Sequence, residues 1–191
     1  MSNIMRIKDT RILYLNGAID NETAMVFNTM LLQLDYENPD EDITVYINSP
    51  GGSVLDGFSM IDVMNLVHCD VRTVCVGIAA SMGAMLLMAG THGKRDILLH
   101  SKTLLHQPLA TMGGGFMQAS DIEIQAEQVR RTKEEVFRAI SGCTGQPLDK
   151  VAVDCDRDFM MDARESLEYG IVDRIIVADN VKDPAGDGET R

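Results

Sequence analysis

The sequence predicts an α/β fold with a mostly parallel sheet, because short apolar runs alternate with segments that carry apolar residues at helical spacing. The 191 residues suffice for one substantial core and not for two ordinary domains, which usually run about 100 to 200 residues each. We therefore expect one domain over residues 1–178. Residues 179–191 lack large apolar side chains beyond one valine, so we expect them to form a disordered tail.

Five apolar runs are typical of β-strands. They are RILYL (11–15), ITVYI (43–47), VRTVCVG (71–77), LLHSKTLLH (98–106) and IVDRIIV (171–177). Residues 22–34 and 56–68 carry apolar side chains at helical spacing, which predicts a helix after each of the first two strands. This alternation is typical of βα units.

The clearest helix signal begins at Ser120, where Ser120 and Glu123 form a capping-box pattern after a glycine-rich loop over 111–117. An apolar stripe then follows one face of the helix. Its members are Ile122, Ala126, Val129, Val136 and Ile140. Gly142 or Gly145 is expected to end the helix. The stripe is narrow for a core helix, so the sequence leaves open whether it packs on the core or on another subunit.

Composition and charge exclude several classes of protein. A net charge of -12 argues against nucleic-acid binding, which needs basic patches. The longest apolar stretch, 78–90, falls short of the ~20 residues of a membrane span, and no signal peptide is visible. The four cysteines and four histidines show no metal-ligand spacing, so we expect neither metal nor cofactor. We expect a cytosolic protein.

Two segments could carry chemistry. Ser81 follows an apolar strand and opens an apolar helix, a position typical of a nucleophile at a strand-to-helix turn. Its pattern is A-x-S-x-G and not G-x-S-x-G, so the motif alone slightly favours a packing role for a small residue. The turn NSPGGSV (48–54) either points backbone N–H groups outward or simply joins a strand to a helix. A dinucleotide site is disfavoured there because G-x-G-x-x-G is absent.

A nucleophilic serine needs a base, and His106 is the best-placed histidine. It ends an apolar strand just before Pro108, which would stop that strand. The other three are expected at a helix end (His68), in a turn (His92) and in the middle of a strand (His100).

A carboxylate is needed to orient the imidazole and stabilise its cationic form. The segment DCDRDFMMDARE offers four of them: Asp154, Asp156, Asp158 and Asp162. The residues alone do not choose among these four, because several would be ordinary helix caps or solvated charges.

Eight stretches of the chain together resemble the proteolytic subunit of the Clp protease family. They are YINSPGGSV, VCVGIAASMGAMLLMAG, GKR, LLHQPL, DIEI, TGQPL, DRDFMMDA and EYGIVDRII. They cover roughly residues 10–177 and form a highly specific set. The resemblance implies an α/β, crotonase-like spiral of ββα units, forming a single peptidase domain with a protruding handle helix (about 107–142).

The resemblance also implies a serine endopeptidase that hydrolyses peptide bonds of unfolded proteins inside a ring-shaped chamber. Ser81 matches the family nucleophile, and His106 in the HQP motif matches the general base. Asp158 matches the aspartate that closes an acidic-Arg-Asp segment. Gly52 and Met82 match the positions whose backbone N–H groups form the oxyanion hole.

By the same resemblance, two heptameric rings would stack, as a homo-oligomer or with a paralogue, and an AAA+ unfoldase of the ClpX, ClpA or ClpC type would deliver substrate. The helix from Ser120 would join the rings. Asp156 and Arg157 resemble a pair that senses ring contact, although an ordinary surface pair is the alternative. The candidate residues for the ATPase-docking pocket are Tyr46, Val74, Val76 and Leu98.

Three departures from the family pattern stand out. Only MSNIMRIKD precedes the first predicted strand, so we expect short or missing axial loops. The loop from Leu109 to Ser120 is longer than usual, which could alter specificity or ring contact. Thr44 and Asp96 occupy docking-pocket positions where large apolar residues are common, and a carboxylate there would weaken apolar docking.

Two alternatives to an active protease subunit remain. The departures are compatible with a paralogue that acts mainly as a structural or regulatory partner in a mixed ring. A crotonase-type acyl-CoA enzyme could share the fold and its oxyanion hole. It is disfavoured by the Ser-His-Asp spacing and by the lack of a visible CoA-binding pattern.

Overall fold

The computed structural model describes residues 3–109 and 118–177. Within them the chain forms eight strands and six helices. In order they are β1 (Ile4–Arg6), β2 (Ile12–Asn16), α1 (Asn21–Glu37), β3 (Ile43–Ser49), α2 (Val54–Leu66), β4 (Val71–Ala80), α3 (Met82–Met88), β5 (Arg95–Leu98), β6 (Lys102–Leu105), α4 (Ala119–Thr144), α5 (Leu148–Asp154), β7 (Phe159–Met161), α6 (Ala163–Tyr169) and β8 (Arg174–Ile176). The predicted α/β class is confirmed.

The strands form a mostly parallel sheet in the order β1-β2-β3-β4-β5-β8. Only β1 runs antiparallel to its neighbour in this path. Strand β4 is shared between two partners, since residues 73–75 pair with β5 and residues 78–80 pair with β6. Strand β7 then adds to β6 in antiparallel orientation. The sheet therefore divides into two branches at β4.

The division occurs at Gly77, whose φ of 82° lies in the left-handed region that favours glycine. The Gly77 N–H donates to Ser101 Oγ at 2.8 Å, and that hydroxyl donates to Cys75 O at 3.2 Å. The prediction of one strand over 98–106 was therefore wrong. The chain leaves β5 at Leu98 and resumes pairing at Lys102, and His100 lies exposed in the turn between them.

The main core lies between the helices and one face of the sheet. Along β3 the side chains alternate between buried and half-buried, as expected for a strand with one face packed on a core. Helix α3 is buried along its whole length, which explains why its sequence is apolar on every side. No helix in 3–109 or 118–177 is long and apolar enough to cross a membrane.

Helix α4 is half anchored and half exposed. Val136, Phe137 and Ile140 are buried in the core, whereas the side chains of residues 119–124 are exposed. Along its exposed half, Glu127 pairs with Arg130 and Arg131, and Arg130 first and Arg131 second lower the pKa of Glu127 to about 2. These pairs, three and four residues apart, support the helix where no core covers it.

Several predicted boundaries needed correction. Helix α4 begins at Ala119 with Gln118 as its cap, so the capping box expected at Ser120 does not form. Gly145, in the left-handed conformation, ends this helix. Part of the segment thought to precede all strands forms β1. The glycine loop at 111–117 and the tail at 179–191 lie outside the described residues.

A buried ion pair joins β5, β8 and the end of α4. Arg95, only 4% exposed, donates through Nε and Nη2 to the two carboxylate oxygens of Asp173, at 2.9 and 2.6 Å. Its third nitrogen donates to Cys143 O at 2.9 Å. The carboxylate also accepts from the backbone N–H groups of Gly93 and Arg95. This satisfies the buried guanidinium and the largely buried carboxylate, and it fixes the branch of the sheet that contains β5 and β8.

Replacing Asp173 with Asn is expected to lower the free energy of unfolding by about 3 to 5 kcal/mol at pH 7, because Arg95 stays buried without its counter-charge. Burial raises the pKa of Asp173, but its bonds to Arg95 outweigh this and hold the pKa below its usual value. The stabilisation is therefore complete above the unfolded-state pKa of about 3.9 and is lost as the pH falls through the folded value.

Chemical unfolding of both proteins between pH 3 and pH 7 measures this difference. Asp9→Asn is the matched control. Asp9 forms a long ion pair with Lys8, at 3.9 Å, and both side chains are exposed, so this substitution should leave the free energy of unfolding nearly unchanged. An Asp173→Asn loss no larger than that of the control, or one that grows below pH 4, would contradict the assignment.

Candidate active site

Ser81 occupies the single residue between β4 and α3, in a strained backbone conformation. Its φ is 53° and its ψ is -122°, which a side-chain-bearing residue rarely adopts. The Ser81 N–H donates to Leu104 O at 2.8 Å, and the Ser81 carbonyl accepts from Met85 at 3.1 Å. The strand on one side and the helix on the other thus hold this conformation, and the hydroxyl lies at the helix N-terminus.

The glycine turn after β3 lies directly against Ser81. Gly51 has φ of 90°, and a Cβ there would lie 2.7 Å from both Ala80 O and Ser81 Cβ, and 3.0 Å from Met82 N. Only glycine lets the two backbones come this close. The approach brings the turn beside the first N–H group of α3, the one on Met82.

Gly52 is held by the loop that precedes α1. Ile19 N donates to Gly51 O and Ser53 N donates to Ile19 O, both at 2.9 Å, and a Cβ on Gly52 would overlap the Ile19 carbonyl. Ile19 and Gly52 thus form a parallel β-bridge, in which Ile19 forms hydrogen bonds to the peptide groups before and after Gly52. The Gly52 N–H therefore faces away from Ile19.

Asn48 holds neighbouring strands together beside the glycine turn, and the sequence analysis did not identify this role. Its Oδ1 accepts from Ile78 N at 3.2 Å, and its Nδ2 donates to Asn16 Oδ1 at 2.8 Å. The pairing of β3 with β4 shifts register here, between Ile47 and Ser49. The amide fills the gap left by this shift. The sequence signal for this role was the position of Asn48, a polar residue at the end of an apolar strand and next to a glycine turn.

His106 and Asp158 are brought together by the pairing of β6 with β7. Leu105 pairs with Phe159, so the residue after β6 and the residue before β7 are neighbours. His106 Nδ1 lies 3.3 Å from Asp158 Oδ1. The histidine side chain is 19% exposed, whereas the aspartate is 74% exposed.

The other carboxylates of that segment are engaged elsewhere. Asp154 accepts from Lys150 and from Tyr169, and burial followed by the Asp154 contact raises the pKa of that tyrosine. Asp162 caps α6 in a capping box with Glu165. The Asp156 carboxylate is approached by Gln107 Nε2, at 3.5 Å from Oδ1. Of the four candidates, Asp158 is the one beside His106.

The other histidines lie away from the serine. His68 contacts Asp35 at 3.0 Å, and this hydrogen bond is the main reason that the pKa of Asp35 falls to about 2. His92 and His100 are exposed. His106 alone among the four lines the cleft at Ser81.

That cleft has apolar walls. It is lined by Val54, Ser81, Met82, Met85, Leu105, His106, Pro108, Val136 and Ile140. Its side chains come from α2, α3, α4 and the end of β6, so the cleft exists only in the folded chain. A hydroxyl and an imidazole therefore share an apolar depression beside a glycine turn.

Comparisons with known proteins identify the family. The family model for Clp protease matches residues 1–179. The chain belongs to the Clp protease family. A relative from Porphyromonas gingivalis (strain ATCC BAA-308 / W83), an ATP-dependent Clp protease proteolytic subunit, is 47% identical over 176 residues, or 92% of this chain and 78% of its own.

Two further relatives are similar to this chain to about the same degree. Proteolytic subunit 2 of Parasynechococcus marenigrum (strain WH8102) is 49% identical and subunit 1 of Synechococcus sp. (strain CC9902) is 48% identical, each over 171 residues. Each match covers 90% of this chain and 85% of the relative. Clp proteases are serine peptidases, so this member is a peptidase. The mixed α/β sheet and the six helices of its described residues are consistent with the Clp protease fold.

The candidate docking residues of this Clp protease lie on the sheet face opposite the helices. Register places Tyr46, Val74 and Asp96 in one row across β3, β4 and β5, and Val76 and Leu98 belong to the same face. The Asp96 side chain is fully buried, so it does not present a bare carboxylate on the surface of the expected docking pocket. It accepts from Arg72 Nε at 2.6 Å and from Arg174 Nε at 3.0 Å, so its charge is compensated from both sides.

Asp156 and Arg157, the candidate sensor pair, do not form a salt bridge with each other within the described residues. Arg157 donates instead to the backbone carbonyl of Asp156 at 3.1 Å. Both side chains are exposed. Their charges remain accessible to a second chain.

Replacing Gly51 with Ala is expected to lower kcat/KM for peptide hydrolysis by about 100-fold or more, because the new methyl group must push Ser81 or Met82 aside. The matched control is Gly142→Ala, since a Cβ at that helix position meets nothing within 4 Å. Hydrolysis of a fluorogenic peptide measures both variants. Full activity in Gly51→Ala would show that the turn does not set the position of Ser81.

Proposed function

We propose that the protein is an endopeptidase in which Ser81 attacks the peptide carbonyl, His106 transfers the proton and Asp158 orients His106. The observation that carries the proposal is the contact of His106 Nδ1 with Asp158 in a cleft that His106 shares with Ser81. With Nδ1 turned to the carboxylate, Nε2 is left to accept the serine proton.

The proposed reaction has two halves. The Ser81 oxygen bonds to the carbonyl carbon as its proton passes to His106, and the resulting oxyanion accepts hydrogen bonds from the N–H groups of Gly52 and Met82. Each such donor typically contributes about 3 to 4 kcal/mol to the transition state. His106 then protonates the leaving amine, and water, activated by His106, releases the acyl group and restores Ser81.

The geometry of the turn supports the oxyanion hole. Gly51 lies so close to Ser81 and Met82 that the turn and the start of α3 flank the same point. The Gly52 N–H faces away from Ile19, and the Met82 N–H opens a helix, where the helix dipole favours negative charge.

We also propose that the protein works in the cytosol in stacked heptameric rings, with an AAA+ unfoldase delivering unfolded chains. The names of the relatives, which describe ATP-dependent subunits, support an ATP-driven partner. Ile122 and Ile124 are 45% and 58% exposed on the projecting half of α4, which suits contact with another subunit. Asp156 and Arg157 are exposed and available to a facing ring. Of the candidate docking residues, the half-buried Tyr46, Val76 and Leu98 are available to the unfoldase, whereas Val74, at 1% exposure, is not.

A second candidate function is that of a regulatory partner in a mixed ring. Asp158, at 74% exposure, is the observation that favours it, because water competes for this carboxylate and a neighbouring subunit could be needed to hold it. Peptide cleavage by the purified protein alone distinguishes the two, since robust cleavage that Ser81→Ala abolishes excludes a purely structural role.

A fluorophosphonate probe is expected to label the wild-type protein and not Ser81→Ala, because only a serine activated by a base reacts at a useful rate. Intact-mass spectrometry measures the adduct. Ser120→Ala, which removes an exposed serine on α4, is the matched control and should label fully. Equal labelling of wild type and Ser81→Ala would refute the assignment of the nucleophile.

Peptides with Leu or Met on the acyl side of the cut are expected to give kcat/KM values at least about 10-fold above those with Asp. The reason is the apolar wall formed by Met85, Leu105, Val136 and Ile140, which would desolvate a carboxylate without pairing it. Paired substrates that differ only at this residue provide the measurement. Equal values would mean that this wall does not contact the substrate.

A further inference from the structure

Asp158 has little to hold it in place by itself. Its carboxylate lies 3.3 Å from His106 Nδ1, which is its one hydrogen-bonding or ionic contact among the described residues, and the side chain is mostly exposed to water. An exposed carboxylate gains little from a single ionic contact. Its distance from the imidazole must therefore be set by the backbone that carries it.

That backbone is tied to the residue next to His106. The Gln107 N–H donates to Cys155 O at 2.7 Å. The Gln107 side chain donates through Nε2 to Asp156 O at 2.9 Å and approaches Asp156 Oδ1 at 3.5 Å. Both carbonyl groups belong to the segment that leads into Asp158. One residue thus joins the chain that carries the base to the chain that carries the carboxylate.

The amide of Gln107 is itself oriented by helix α4. Lys133 Nζ donates to Gln107 Oε1 at 3.0 Å, and its ammonium group also lies over the Phe137 ring, 5.3 Å from the centroid. A cation at the oxygen leaves the amide nitrogen pointing to the Asp156 carbonyl. The reverse orientation would place two donors together and two acceptors together.

We infer that Gln107 is a positioning residue that holds Asp158 against His106, and that Lys133 fixes the orientation of the Gln107 amide. The inference rests on the proposed triad and adds to it a residue that does not contact substrate. Without the side-chain bonds of Gln107, the segment that carries Asp158 is held beside His106 by the backbone bond from Gln107 N–H to Cys155 O and by the pairing of β6 with β7.

Gln107→Met tests the inference without a change of charge, which matters because Asp156, Arg157 and Lys133 all lie around this segment. The rate constant of fluorophosphonate labelling of Ser81 and the fraction of protein labelled at completion are measured, together with kcat and KM for a peptide. We expect the rate constant and kcat to fall about 10- to 100-fold, with little change in KM or in the labelled fraction.

A double-mutant cycle with Asp158→Asn identifies the route of the effect. Asp158→Asn should also lower the rate constant of labelling, and adding Gln107→Met to it should have little further effect. Effects that multiply, or a Gln107→Met rate constant equal to that of the wild type, overturn the inference. A merely structural role would reduce the labelled fraction and leave the rate constant of the remaining sites unchanged.

Further variants separate the contacts. Gln107→Glu keeps the acceptor for Lys133 but replaces the donor to Asp156 with a carboxylate that faces the Asp156 carbonyl. It should therefore lower the rate constant of labelling at least as much as Gln107→Met, and a wild-type rate constant would refute the inference. Lys133→Met should give a weaker form of the same loss, and Lys133→Arg should largely retain wild-type behaviour. Arg131→Met, which removes an exposed cation of the same helix that pairs with Glu127, is the matched control and should change neither the rate constant of labelling nor kcat.

These outcomes are independent of those that test the triad. Loss of labelling in Ser81→Ala, together with a wild-type rate constant of labelling in Gln107→Met, would retain the proposed function and reject the role of Gln107. Undiminished labelling of Ser81→Ala would reject the proposed function itself.

Discussion

Strand β4 pairs along one edge with two different strands, and the placement of the site follows from this arrangement. Its first part pairs with β5 and its last part with β6, with Gly77 and Ser101 between them. Because the second partner is β6, the end of β4 at Ser81 lies beside the end of β6 at His106. The register shift that Asn48 fills on the other edge brings the glycine turn to the same end of the sheet. Three segments therefore meet where parallel strands terminate, which is the usual place for a site in an α/β protein.

The sequence could predict the elements whose signals are local. An apolar strand followed by an apolar helix around Ser81 implies burial on every side, and α3 is buried throughout. The split of residues 98–106 into two strands could not be predicted in this way. The apolar residues continue on both sides of His100, and the interruption comes from a change of partner strand and from hydrogen bonds to Ser101. The start of α4 was wrong for a related reason, since a capping-box pattern is only one of several ways in which a helix can begin.

In the candidate site, too, some residues have a local sequence signal and others are placed only by tertiary contacts. Ser81 and His106 could be chosen from the sequence because each ends an apolar strand. The choice of Asp158 among four carboxylates came only from a family resemblance, since its contact with His106 depends on the pairing of β6 with β7. The burial of Asp96 could not be predicted from the sequence either. The arginines that compensate its charge, Arg72 of β4 and Arg174 of β8, lie 24 and 78 residues away along the chain. An acidic residue that seemed unsuited to a sheet surface is compensated there by neighbours in space.

Helix α4 belongs to two parts of the molecule at once. Its end around Val136 and Ile140 is buried in the core, and the stretch from Ala119 to Glu135 extends for about 25 Å at the usual helical rise. Val136 and Ile140 also form part of the cleft wall beside Ser81. The same two side chains therefore bound the cleft and anchor the exposed half of the helix. A substitution that repacks them would change the shape of the cleft and the support of the helix together.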